Sequence, residues 1–166
     1  KGTPGRGFAV FEKNGERLSV LSVQGRVFMP PLDCPFQTAL NLVDESSASS
    51  IFVDIHAEAT SEKRALGIFL DGKVSAVVGT HTHVQTADEE ILPGGTAYLS
   101  DAGMTGGHGG IIGMSAESVM RKFLTGTPCK VEVSEDRVKF QGVVVEIDSE
   151  TGRAFDIKRI NRDVIF

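Results

Sequence analysis

Apolar and polar positions divide the chain into three stretches with different rhythms. In the first, Gly7–Glu12 and Arg17–Val23 are short segments rich in Val, Leu and Phe that read as strands. Between them, Lys13-Asn14-Gly15-Glu16 carries an Asn-Gly pair. Both residues tolerate the positive φ of a tight hairpin turn, so the two segments are predicted to pair. Arg26–Met29 reads as a further strand stopped by Pro30-Pro31, which can neither donate to a ladder nor continue one. Ala39, Leu40 and Val43 recur at helical spacing and predict a helix from Phe36 to about Asp44. The polar run Glu45–Ser50 is a loop or a frayed helix end.

The middle stretch alternates strand and helix. Ile51–Ile55 is a predicted strand, Ser61–Leu70 a helix ended by Asp71-Gly72, and Val74–Val78 a strand whose nearly unbroken apolar run suits burial on both faces. Thr96–Ser100 is a short strand, Gly103–Gly113 a glycine-rich loop and Ser115–Leu124 a helix. The last stretch returns to strands: Lys130–Val133, Arg137–Phe140, Val143–Ile147 and Phe155–Ile160, with a turn at Asp148–Gly152. No internal repeat is present. The pattern predicts an α/β fold of two sheets with helices, forming a single domain over residues 1–166.

Composition narrows the picture. The 166 residues are 40% hydrophobic and 23% charged, ordinary values for a globular chain. No apolar run approaches the roughly 18–20 residues that span a bilayer, so no membrane partner is expected. The net charge is −5 and no basic stripe occurs, which argues against polymeric nucleic acid as a ligand. Cys34 and Cys129 are far apart and form no CxxC pair; two reduced thiols in a cytoplasmic protein are expected. The chain begins Lys1-Gly-Thr-Pro, without an initiator Met, as a chain starting partway through a protein would.

Candidate chemistry sits with the histidines. His56 directly follows the strand Ile51–Ile55, and His81 and His83 directly follow Val74–Val78. Carboxyl ends of buried strands are where open α/β sheets place their ligands. If the two strands are parallel neighbours, all three imidazoles share one rim, and neutral imidazole binds zinc, iron or manganese well. A single histidine in a loop is more often just hydrogen-bonded; an HxH pair plus a second strand-end histidine favours a metal. Asp54 and Glu58 flank His56, and Asp54 suits the orienting of an imidazole. His108, within Gly106–Gly110, reads as a solvated loop residue. The glycine loop lacks the Gly-Lys-Ser/Thr ending of a P-loop and does not match GxGxxG, so it reads as a lid or tight turn. No GxSxG occurs, which leaves a serine hydrolase without a marked nucleophile.

Several strings resemble one family. Gly79-Thr-His-Thr-His83 is similar to the last metal motif of calcineurin-like metallophosphoesterases. Thr3–Gly7, Gln24–Pro35, Asp54–Lys63, Val74–Asp88 and Asp101–Gly106 together resemble the bacterial YmdB-type phosphodiesterases, over essentially the whole chain. The resemblance implies a metallophosphoesterase-like four-layer α/β/β/α sandwich. It also implies two divalent or mixed-valence metal ions, iron or manganese, that activate a hydroxide and hydrolyse phosphodiesters such as 2′,3′-cyclic nucleotides. Carried over, His56, His81 and His83 are metal ligands. Asp54, Glu58, Thr82 and Gln85 are second-sphere or substrate residues, and Val84, Gln85 and Thr86 line the substrate entrance. The family's first half, which carries an Asp, a Glu, an Asn and the histidine taken as proton donor, is not in this sequence. The catalytic proton donor is therefore unassigned here. The chain is expected to be the C-terminal portion of the fold, to expose apolar surface, and alone to bind one metal weakly and turn over poorly. A homo-oligomer, or the N-terminal half acting in trans, is a further expectation. A non-catalytic metal- or nucleotide-binding module and one half of a two-chain assembly are the alternatives.

Overall fold

A computed structural model describes residues 4–165; Thr3, which opens the first of the strings above, lies outside the described residues. The predicted hairpin is present: β1 (Phe8–Lys13) runs antiparallel to β2 (Glu16–Gln24), with Asn14 and Gly15 both at positive φ in the turn. After α1 (Pro35–Glu45), whose Pro35 occupies the first turn where no N–H is needed, come β3 (Ser50–His56), α2 (Thr60–Phe69) and β4 (Ala76–Thr80). β5 (Glu90–Ile91) and β6 (Ala97–Leu99) complete a six-stranded sheet of order β1-β2-β3-β4-β6-β5. β2, β3, β4 and β6 are mutually parallel, and both edge strands are antiparallel to their neighbours. β7 (Gly106–Gly107), β8 (Val138–Ile147) and β9 (Ala154–Asp163) form a second, antiparallel sheet, and α3 spans Ala116–Thr125.

Strand alternation sorts the first sheet between two cores. Ile51, Val53 and Ile55 of β3 are buried with Leu21, Val77, Leu66 and Leu70 and with Ala39 of α1, on the helical face. Phe52, Ala76, Ala97 and Leu99 face the other way and pack on Val143, Val145, Ala154 and Ile157 of the second sheet. Each fully buried Leu, Ile or Val contributes about 1.5–3 kcal/mol relative to exposure, which makes the β3–α2–β4 unit the anchor of the domain. The order is thus helices, parallel sheet, antiparallel sheet. This is the mixed α/β architecture expected, with α1 and α2 on the outer face of the first sheet. α3 instead lies against the segment after it: Ser115 N–H donates to Glu132 O at 2.7 Å and Cys129 Sγ to Ser118 O at 3.1 Å.

Several sequence expectations are corrected. Arg26–Met29 is not a strand, because the Glu62 carboxylate accepts from both Arg26 N–H (2.9 and 3.1 Å) and Val27 N–H (3.2 Å) and pulls the chain into a turn. Lys130–Val133 makes only an isolated bridge between Val133 and Met114. The predicted pair Arg137–Phe140 and Val143–Ile147 is one continuous strand, β8, running through Gln141-Gly142. The glycine-rich loop contributes β7, and β5 is an addition to the predicted strands. No helix among the described residues is long and apolar enough to cross a membrane. Large apolar side chains are exposed on α3 (Phe123 71%, Leu124 79%) and at Phe28 (89%).

Candidate metal centre

The parallel registry sets three residues abreast at the carboxyl edge of the sheet: Gln24 opposite His56, and His56 opposite Thr80. Two residues earlier on the same face of β3 is Asp54, whose carboxylate accepts from Ser22 Oγ at 2.8 Å and Thr80 Oγ1 at 2.7 Å. Because the Thr80 hydroxyl donates its proton to Asp54, its oxygen is free to accept from His56 Nδ1 at 3.0 Å. The relay Asp54–Thr80–His56 therefore puts the imidazole proton on Nδ1 and leaves Nε2 bare. Asp54 stands out in the sequence beside His56; Thr80, the link through which it acts, does not.

His81 begins the turn after β4, at φ 108°, and His83 stands at φ 65°; both are left-handed conformations uncommon for residues with a Cβ. His81 Nε2 lies 3.0 Å from Glu58 Oε2. A carboxylate only accepts, so that nitrogen carries a proton and, in the neutral ring, Nδ1 is bare. His81 Nδ1 faces His56 Nε2 at 3.1 Å, with the rings edge-to-face. Two bare nitrogens so close repel each other unless a proton or a cation lies between them. Their spacing is that of neighbouring ligands on one ion, about 3.0 Å for bonds of about 2.1 Å at right angles. His83 donates from Nδ1 to the carbonyl of Ile112 at 2.9 Å, which leaves its Nε2 bare as well.

The three histidines thus repeat one pattern, an oxygen acceptor on one ring nitrogen and none on the other, where His56 and His81 meet only each other. His56 and His81 are brought into contact. His83 is not drawn into that pair, and among the described residues no group of three or more His, Cys, Asp or Glu side chains is arranged around one point. His56 and His81 are the two imidazoles that the fold sets face to face, with the Glu58 carboxylate on the far nitrogen of His81.

Other expected residues take different parts. Thr82 donates from its N–H (3.0 Å) and hydroxyl (2.7 Å) to Asp101 Oδ2. Gln85 Nε2 lies within 3.0–3.2 Å of the carbonyls of Ala102, Gly142 and Ile160, which ties the turn to β8 and β9. Thr86 is bonded to the Asp101 backbone, while Val84 is 59% exposed. His108 Nε2 bonds to Met104 O within its own loop. The concavity lined by Ser115, Glu117, Arg121, Cys129 and Lys130 holds no imidazole and is a solvated groove.

The sequence profile of the family described as YmdB-like protein matches residues 1–160. The chain belongs to this family. Among YmdB-like relatives, the 2′,3′-cyclic-nucleotide 2′-phosphodiesterase of Bacillus subtilis (strain 168) is 51% identical over 170 residues, covering 100% of this chain and 64% of the relative. A crystal structure of a hypothetical protein from Thermus thermophilus superposes with a TM-score of 0.92 at 44% identity, over 98% of this chain and 64% of that one. A novel phosphatase from Mycoplasma pneumoniae superposes at 0.87 with 36% identity, over 96% of this chain and 58% of that one. The YmdB-like chain here therefore spans less than two-thirds of the length of each.

The Asp54–Thr80–His56 relay carries a quantitative expectation. Thr80→Val keeps the volume and removes the hydroxyl, so His56 can rotate and its Nδ1 loses its acceptor. Manganese affinity of the full-length protein should fall about 10–100-fold, read by titration calorimetry; an unchanged affinity would show that Thr80 does not orient His56.

Proposed function

We propose that the protein of which this chain forms part is a metal-dependent phosphodiesterase acting on cyclic nucleotides, 2′,3′-cyclic nucleotides first among them. The observation that supports this most is the set of three imidazoles, each held through one nitrogen and bare at the other, at the carboxyl rim of the parallel sheet. The Bacillus relative is named a 2′,3′-cyclic-nucleotide 2′-phosphodiesterase and the Mycoplasma one a phosphatase, which supports phosphoester hydrolysis.

In this reading His56 Nε2 and His81 Nδ1 hold one ion, and His83 contributes to the same site or to a second ion. The ions, iron or manganese, supply the Lewis acidity that acidifies water and neutralises the phosphoryl oxygens. The chain's own residues do the positioning. Asp54 and Thr80 lock the His56 ring, and Glu58 keeps the His81 proton on Nε2. The positive φ values at residues 81 and 83 aim two imidazoles from a three-residue turn. Three neutral imidazoles do not balance the charge of two divalent cations, so carboxylates would have to complete the centre and a proton donor serve the leaving oxygen. Two free cysteines fit a reducing compartment such as the cytoplasm.

The test is hydrolysis of 2′,3′-cyclic AMP by the full-length protein with and without manganese. Turnover that is lost to EDTA and regained with manganese is expected, whereas the isolated 166-residue chain should bind metal weakly and turn over poorly. Metal binding by the full-length protein with no turnover of any cyclic nucleotide would instead favour a non-catalytic binding module.

A further inference from the structure

Two charged side chains in the core have no part in the chemistry above. Lys63 and Asp101 are each only 1% exposed, with Nζ and Oδ2 2.8 Å apart. Burying such a pair is costly, and hydrophobic replacements often serve stability as well or better, so the pair invites a role other than cohesion. Lys63 sits on the core face of α2, in step with Leu66, Gly67 and Leu70. Its stem passes Gly79, where a Cβ would meet Lys63 Cδ at 2.8 Å.

Every bond of the carboxylate can be traced. Asp101 Oδ2 accepts from Lys63 Nζ, Thr82 N–H and Thr82 Oγ1, and Oδ1 accepts from Gly103 N–H at 2.9 Å. The Asp101 backbone then binds the far end of the same turn: its N–H donates to Thr86 Oγ1 at 2.9 Å, and its carbonyl accepts from Thr86 N–H at 3.1 Å. One residue fastens both ends of the turn that carries His81 and His83. The left-handed backbone at those two histidines persists only where neighbours over-determine it.

We infer that Lys63 and Asp101 are positioning residues for the metal centre: Lys63 holds Asp101, Asp101 clamps Thr82 at two points between the histidines, and that clamp sets the direction of both rings. Neither residue touches substrate. The charge matters because Oδ2 serves three donors at once. An amide at position 101 must turn its NH2 either toward those donors or toward Gly103 N–H, donor against donor. This inference rests on the reading of His56, His81 and His83 as metal-binding.

The experiment compares the full-length protein with its Thr82→Val, Thr82→Ser and Asp101→Asn variants, by manganese titration calorimetry and by hydrogen exchange of the amides of residues 81–86. Thr82→Val should weaken manganese binding about tenfold and speed exchange in the turn, while the amides of β3 and β4 keep their protection. Thr82→Ser should recover most of the affinity, and Asp101→Asn should lose at least as much as Thr82→Val. Folded Thr82→Val with native affinity and native exchange in the turn overturns the proposal, and that variant decides alone should Asp101→Asn fail to fold. If the unaltered protein binds no manganese, the metal reading fails by itself. Exchange in the turn then decides the clamp: faster in Thr82→Val supports it, unchanged overturns it.

Discussion

His56→Ala in the full-length protein is expected to reduce hydrolysis of 2′,3′-cyclic AMP by about a thousandfold or more, with the fold intact. His56 is the best-held imidazole of the three. Its backbone lies in the core strand β3, hydrogen-bonded to β2 on one side and β4 on the other. Its ring is fixed through Thr80 and Asp54, and its bare Nε2 points at His81. Removing it takes away one of the proposed metal ligands and leaves the His81 nitrogen without its facing partner. Lewis-acid stabilisation of a phosphoryl transition state is worth several kcal/mol, and each 1.36 kcal/mol is a factor of about ten in rate, which sets the thousandfold scale. The ring is only partly buried, so deleting it should cost little stability, and the thermal midpoint serves as the control. Steady-state assay at saturating manganese reads the effect; activity within about tenfold of the unaltered protein would remove His56 from the chemistry.

Gly79→Ala carries the largest expected effect on stability. β4 lies inside the sheet between β3 and β6, and Gly79 is buried at the point where its carbonyl accepts from Ala102 N–H at 2.8 Å. A methyl built there would stand 1.8 Å from the Ser100 carbonyl oxygen, about half a normal contact distance. It would also press on Lys63 Cδ, and neither the backbone carbonyl nor the buried lysine can move aside cheaply. Overpacking in a well-filled core usually costs about 1–3 kcal/mol and at times more; a clash with backbone inside a sheet belongs at the upper end, about 3 kcal/mol or above. For a domain of this size that corresponds to a thermal midpoint lower by roughly 6–12 °C. Calorimetric unfolding measures it, and a midpoint within about 2 °C of the parent would mean that β4 and the Ser100–Ala102 segment are not packed as described.

Much of this is legible in the sequence because the signals are local. Apolar runs mark β3 and β4, and the helical repeat between them marks α2, so parallel pairing and three histidines on one rim follow. The misreadings have long-range causes. Arg26–Met29 has the composition of a strand, yet the carboxylate that turns it comes from Glu62, 36 residues away in sequence. The anchoring of Gln85 is equally invisible in sequence, since its amide reaches carbonyls as distant as Ile160. Thr80 and Asp101 escape notice because a threonine or aspartate at a strand end is ordinary in sequence; only the fold shows what each one grips. The one available signal was Lys63, a charged residue in phase with the core face of α2, where a lysine is out of place unless something buried pairs with it.

The most direct test of the central claim is an anomalous diffraction measurement at the manganese edge on crystals of the full-length protein grown with manganese. The expected result is a peak bonded to His56 Nε2 and His81 Nδ1, at about 2.0–2.3 Å from each, with the Asp54–Thr80–His56 relay intact. Manganese-bearing crystals in which the two rings still face each other at 3.1 Å, with no peak beside them, would contradict it.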